Sequence, residues 1–140
     1  MIDINNGGLK LNIDSKTIRK GLTKNEFKES VIFDEVLTID EYGYTRYYLK
    51  LQKIGTVAFT VVIYFDKNDI IDSVSFSMQE TIPLWENWSK DEEQKLKIKH
   101  DEWLANCLGL PPYKYSWGTI ESVIDIHDNT SSIVIRYFNN

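Results

Sequence analysis

The fold turns on Val57-Ala58-Phe59-Thr60-Val61-Val62-Ile63-Tyr64-Phe65, nine residues that are β-branched or aromatic at every position but Ala58. Such a run, bounded by turn formers at Gly55 and at Asp66-Lys67-Asn68-Asp69, predicts a strand. It is far shorter than the roughly 20 residues that cross a bilayer. Because both of its faces are apolar, it predicts a central strand covered on both sides, or nearly so. Upstream, Tyr47, Leu49 and Leu51 alternate with Tyr44, Arg46, Tyr48 and Lys50, so a pleated strand there sorts them into one dry and one wet face. Downstream, Ile70, Val74, Phe76 and Met78 alternate with Ile71, Ser73, Ser75 and Ser77, burying the first set and exposing a serine row. Asp72 is the misfit on the inward side. Three consecutive strands between Tyr44 and Met78 make a meander.

Beyond the meander, Ser89-Lys90-Asp91-Glu92 has the spacing in which a hydroxyl caps a free helix amide and a carboxylate reaches back. Acidic residues 91 to 93 then lie at the positive end of the helix dipole. The helix predicted over 89 to 108 ends at Gly109 and Pro111-Pro112. At about 100° per residue, Leu96, His100, Trp103, Leu104, Cys107 and Leu108 share one stripe, the face that packs on a sheet. Thr119 to Ile126 and Ser131 to Phe138, joined by His127-Asp128-Asn129-Thr130, read as a hairpin. Near the start, Leu9-Lys10-Leu11-Asn12-Ile13 alternates as a short first strand, and Thr23-Lys24-Asn25-Glu26 caps a short helix that frays near Ser30 to Phe33. Together these elements predict a single α+β domain over residues 1–140. Its antiparallel sheet has about five to six strands, in the order β-α-β-β-β-α-β-β, with the long helix packed on one face.

The chain of 140 residues, 42% hydrophobic and 26% charged, has enough apolar surface to offset its ordering entropy, which excludes wholesale disorder. A single cysteine permits neither an internal disulfide nor a thiolate-rich zinc site and fits a reducing compartment, so the expected location is the cytoplasm. Met1-Ile2-Asp3-Ile4-Asn5 carries no basic leader and no apolar core, which predicts no signal peptide. The net charge of −5 opposes binding to nucleic acid or an anionic membrane and permits a basic partner.

Several constellations invite chemistry. His100 and Cys107 share a helix face, but a metal needs three or four ligands and the only other histidine is His127, so no metal is expected. Cys107 sits near a helix C-terminus, where the dipole raises a thiol pKa and favours a buried structural role over a nucleophilic one. Asp66-x-Asn68-Asp69 with Asp72 spaces oxygens as a calcium loop would, yet lacks the central glycine and terminal glutamate, and reads as a hairpin turn. Asp125 and Asp128 beside His127 read as turn formers. Tyr44, Arg46 and Tyr48 interleave aromatic and basic groups on one strand face, a pattern shared by base-stacking sheets and by protein interfaces. Trp85 and Trp88 flank the helix cap as core or anchor residues, and the acidic cluster Asp91, Glu92 and Glu93 would attract a basic partner. There is no glycine-rich phosphate loop, no Gly-x-Ser-x-Gly elbow and no His-Glu-x-x-His; no cofactor and no enzymatic activity are expected.

The C-terminal 55 residues or so carry a resemblance. His100-Asp101-Glu102-Trp103-Leu104, then Leu108-Gly109-x-Pro111-Pro112-Tyr113-x-Tyr115-x-Trp117-Gly118-x-Ile120-x-Ser122-Val123-x-Asp125, closing with Ser131-Ser132-Ile133-Val134-Ile135-Arg136-Tyr137, resemble small cytoplasmic bacterial proteins encoded near polymorphic or contact-dependent toxins. That resemblance implies a non-enzymatic immunity protein that binds and neutralises a cognate toxin domain, with no catalytic residue to carry over and a binding surface that varies between members. The expected partner is that toxin, on charge grounds a basic one such as a nuclease. The expected contacts are Trp85, Trp88, Asp91, Glu92, Glu93, Tyr44, Arg46 and Tyr48. A small-molecule or nucleic-acid binding module, a small enzyme and a homo-oligomer stay open as alternatives.

Overall fold

The computed structural model describes residues 2–10, 17–29, 36–41, 44–78, 90–125 and 130–138. The meander is present as β5 (Tyr44–Ile54), β6 (Val57–Phe65) and β7 (Ile71–Met78), and the final hairpin as β9 (Gly118–Asp125) and β10 (Thr130–Tyr137). Two further strands, β4 (Val36–Glu41) and β8 (Tyr113–Tyr115), extend the sheet beyond the expected number to seven, in the spatial order β4-β5-β6-β7-β10-β9-β8. Every neighbouring pair is antiparallel. A separate small sheet of β1 (Ile2–Asp3), β2 (Gly8–Lys10) and β3 (Thr17–Ile18) takes up the expected first strand, of which residues 11–13 lie outside the described residues. The architecture is α+β, and none of the described helices is long and apolar enough to cross a membrane.

One face of the large sheet is the core. Tyr47 and Leu49 of β5, Phe59, Val61, Ile63 and Phe65 of β6, Val74 and Phe76 of β7, Ile133 and Ile135 of β10, and Ile120 of β9 are all buried, each opposite or diagonal to the next in register. A fully buried side chain of this size stabilises the fold by roughly 1.5–3 kcal/mol relative to exposure. At one end this face is covered by α2 (Lys90–Leu108), whose Trp103 ring lies edge-on to Phe59 and Phe76, with centroids 5.2 and 5.9 Å away. The expected stripe is the packed one: His100 and Leu104 are buried, and Leu96, Trp103, Cys107 and Leu108 are half-buried. At the other end, α1 (Lys24–Lys28) inserts Phe27 between Tyr47 and Phe65, with centroids at 4.7 and 5.9 Å. Thr23 caps α1 as expected: its hydroxyl oxygen accepts from the Glu26 amide at 3.1 Å and donates to the Glu26 carboxylate at 3.2 Å.

Three expectations are corrected. Leu51 is about half exposed and Gln52 takes the inward position, because Leu49 pairs with Val61 and Gln52 with Phe59, so residues 50 and 51 together face Thr60. This β-bulge adds one residue to β5 and inverts its alternation. A second bulge, with Tyr64 opposite Ser73 and Phe65 opposite Ile71, makes Asp72 the extra residue; Ile71 is fully buried and Asp72 is exposed, the reverse of strict alternation. Lastly, β6 buries its two faces unequally: Phe59, Val61, Ile63 and Phe65 are fully buried on one, while on the other Thr60 is exposed and Val62 and Tyr64 are half-buried. The chain end is tied down by Trp117, whose indole Nε1 donates to the Ile4 carbonyl at 2.8 Å, and by Tyr137, whose hydroxyl donates to the Gly7 carbonyl at 2.8 Å.

Candidate functional site

The face of the large sheet opposite α2 has no described element packed on it. Since cross-strand partners project to the same side, register assembles its side chains into rows. One row runs Arg46, Tyr64, Ser73, Arg136, Thr119 and Lys114 across β5, β6, β7, β10, β9 and β8. The next runs Tyr48, Val62, Ser75, Val134 and Glu121. Tyr44, at 47% exposure, extends the β5 end, with the Lys67 ammonium 5.7 Å from its ring centroid. This face carries charges of both signs, Arg46, Lys53, Lys114 and Arg136 together with Glu121 and the bulge residue Asp72.

Of the residues expected to make contact, Tyr44, Arg46 and Tyr48 therefore lie together. Glu93 does not join them: it lies on α2, across the sheet, and its carboxylate accepts from the Ser131 amide at 2.8 Å. Asp91 and Glu92 sit in the first turn of α2, on the same far side by backbone position, and Trp85 and Trp88 lie outside the described residues. Tyr64 and Arg136 belong to the surface and were missed, although alternation within their strands places each on it; what their sequence lacks is any sign that β10 lies beside β7.

The ionisable candidates are built into the core or into turns. The His100 ring is fully buried; its Nε2 accepts from the Met78 amide at 3.0 Å and its Nδ1 lies 3.0 Å from the Ser131 hydroxyl. Since Nε2 accepts a backbone N–H, the proton belongs on Nδ1, which donates to Ser131. With Ser77 donating to the Ser131 carbonyl at 2.9 Å, this cluster staples α2 to β7 and β10. Burial pushes the half-buried Cys107 thiol up, away from the thiolate a nucleophile needs. Asp66 Oδ1 accepts from the amides of Asn68 at 2.8 Å and Ile70 at 3.1 Å, an Asx turn. His127 and Asp128 lie outside the described residues, as does the Asp125 side chain.

A cleft of about 620 Å³ opens between the C-terminal half of α2 and the β8–β9 pair. Its floor and apolar wall come from Ala105, Pro111, Pro112 and Ile120, and its polar lining includes Lys97, Asp101, Glu102, Lys114, Glu121 and Ser122. Lys97 is paired with Asp101 at 3.0 Å, one turn on. Partial burial pushes the Asp101 carboxyl up, but the nearby Ser122 hydroxyl and the Lys97 ammonium outweigh it and hold the group below the usual carboxylate range. The buried Ser122 oxygen approaches Asp101 without completing a hydrogen bond of ordinary geometry to any protein atom. The Tyr113 hydroxyl donates to the Gly109 carbonyl at 2.8 Å and braces the turn that shapes the cleft mouth. No signal in the linear sequence brings Glu102 and Glu121 to one opening. Comparison of the chain with family models, with curated proteins and with solved structures finds no match.

Proposed function

We propose that this chain is a non-enzymatic immunity protein that acts in the cytoplasm by binding and neutralising a cognate toxin domain. The observation that carries the reading is the sheet face, with no described element packed on it, on which Tyr44, Arg46, Tyr48, Tyr64 and Arg136 come into register. Tyrosine and arginine are the side chains that most often dominate protein interfaces: they contribute large contact area at low entropic cost, and arginine adds a planar fork of donors. A sheet holds them rigidly, so little ordering entropy remains to be lost on binding. The resemblance of the C-terminal segment to immunity proteins supports the same reading. So does the net charge of −5, which favours encounter with a basic toxin, while the arginines supply specific contacts. The test is co-expression with the product of the neighbouring open reading frame, together with calorimetry of the pair. Rescue of the cells and 1:1 binding are expected, with Arg46→Glu combined with Tyr48→Ala weakening the complex by about 30-fold or more. Absence of both rescue and binding refutes the reading.

The same interleaving of Tyr and Arg favours a second reading, a surface for single-stranded nucleic acid. Salt-sensitive binding of a single-stranded oligonucleotide, lost in the same double variant, would select it over the first.

A further inference from the structure

We propose that Ser73 and Arg136, side by side on the sheet face opposite α2, receive a carboxylate side chain of the protein partner; this rests on the toxin-binding reading above. Ser73 is the first sign. Of the two buried serines among the described residues, Ser131 is engaged by His100, whereas the hydroxyl of Ser73, at 6% exposure, makes no hydrogen bond to any described residue. A buried hydroxyl without a partner is unfavourable, so its position marks a place where another group completes the bond. Register fixes where it points. Ser73 lies opposite Tyr64 of β6 on one side and Arg136 of β10 on the other, so its side chain rises between theirs, while Val74, next along β7, is fully buried on the α2 side.

Arg136 supplies the charge. It is exposed and closes no ion pair among the described residues: Glu121 lies on its diagonal, opposite Val134, and Asp72 precedes Ser73, yet neither carboxylate is within ion-pair distance of it. On the other side of Arg136, Thr119 places a second hydroxyl, and Lys114 follows opposite Thr119, about 10 Å from Arg136 by strand spacing. A planar fork of N–H donors between two hydroxyls is the complement of a carboxylate, which accepts hydrogen bonds on both oxygens and donates none. The fork holds the two oxygens together, and the Ser73 hydroxyl donates to one of them from the side. Glu121 and Asp72 flank the row and repel a doubly charged phosphate more than a carboxylate, and the net charge of −5 repels a polyanion as a whole. The site is also continuous with the proposed interface. Arg46 and Arg136 are three strand spacings apart, about 14 Å, within the reach of one partner of ordinary interface size.

Sodium acetate is the probe for the chain alone, titrated against sodium chloride at equal ionic strength and followed by NMR through the Arg136 Nε–H and the backbone amides. Saturable shifts at Arg136, Ser73 and Thr119 are expected, with a Kd of about 10–50 mM for so small a ligand. Arg136→Lys keeps the charge but removes the fork, and should weaken acetate about fivefold or more. Ser73→Ala should weaken it about threefold while leaving Tm unchanged or raised, since it removes a buried hydroxyl that has no partner. No saturable shift at Arg136, equal binding by Arg136→Lys, or a lowered Tm for Ser73→Ala with unchanged acetate binding overturns the proposal. Inorganic phosphate binding about tenfold or more tighter than acetate overturns the choice of a carboxylate and selects a nucleic-acid phosphate. In the complex with the product of the neighbouring reading frame, Arg136→Gln should weaken binding about tenfold or more. Replacing the partner's acidic residues one at a time should then find one whose loss is not additive with Arg136→Gln; additivity at every position overturns the assignment to a partner carboxylate. A chain that rescues cells and binds its partner yet ignores acetate loses the carboxylate site alone, whereas one that binds acetate through Arg136 yet neither rescues nor binds loses the toxin reading.

Discussion

Gly7→Ala is the sharpest probe of how the chain end is held. Gly7 has φ +72°, and a Cβ built there would lie 2.5 Å from Cε3 of the Trp117 ring. The left-handed backbone costs an alanine about 1–2 kcal/mol by itself. The ring cannot yield freely, because Trp117 is buried and its Nε1 donates to the Ile4 carbonyl three residues before Gly7. Moving it loosens that hydrogen bond, worth about 0.5–1.5 kcal/mol. The expected destabilisation is therefore about 2–3 kcal/mol, or a Tm lowered by about 6–12 °C for a chain of this size. Gly21→Ala is the matched control: Gly21 has φ +82° but nothing lies within 4 Å of its Cβ position, so only the backbone cost of about 1–2 kcal/mol applies. Urea unfolding, followed by circular dichroism and by tryptophan fluorescence, measures both. Gly7→Ala losing no more than Gly21→Ala would refute the account of Trp117 as a fixed plate under the chain end. A Gly7→Ala, Trp117→Leu double variant should be less destabilised than the sum of its parts, since the smaller side chain vacates the clash.

The bulge in β5 predicts opposite outcomes two residues apart: in urea unfolding, Leu49→Ala should cost about 2–4 kcal/mol, and Leu51→Ala no more than about 0.5 kcal/mol. Equal costs would mean the strand alternates without the bulge. Burial also pushes the Tyr137 phenol well up, so the folded chain holds that proton after the unfolded chain has released its own. The resulting stability is full below about pH 10 and falls as pH rises through the folded value, by up to about 1.4 kcal/mol per pH unit. Tyr137→Phe should lose about 1 kcal/mol at neutral pH with the hydrogen bond to Gly7, and should show a shallower alkaline decline; a decline as steep as that of the parent chain contradicts the assignment.

Much of this molecule was legible in the chain because its signals are local. The unbroken β-branched and aromatic run set β6 as a strand, the Thr23-x-x-Glu26 spacing set the start of α1, and Gly109 with its prolines set the end of α2. Strict alternation failed where one residue was added, at residues 50–51 and at Asp72, because a bulge leaves no mark in composition. The candidate surface was half legible: Tyr44, Arg46 and Tyr48 share a strand, whereas Tyr64 and Arg136 join them only through pairing.

What the sequence by itself determined is the strands β5, β6, β7, β9 and β10 and the two helices, whose signals depend on neighbours a few residues apart; β4, β8 and the faces beyond each bulge were not legible in it. Tertiary structure alone decided that β10 lies between β7 and β9, that Trp117 reaches Ile4 and Tyr137 reaches Gly7, and that Glu102 and Glu121 flank one cleft. The physical reason is that such contacts join residues distant in sequence. They form when apolar faces of several elements are buried together, and no local pattern specifies which faces will meet.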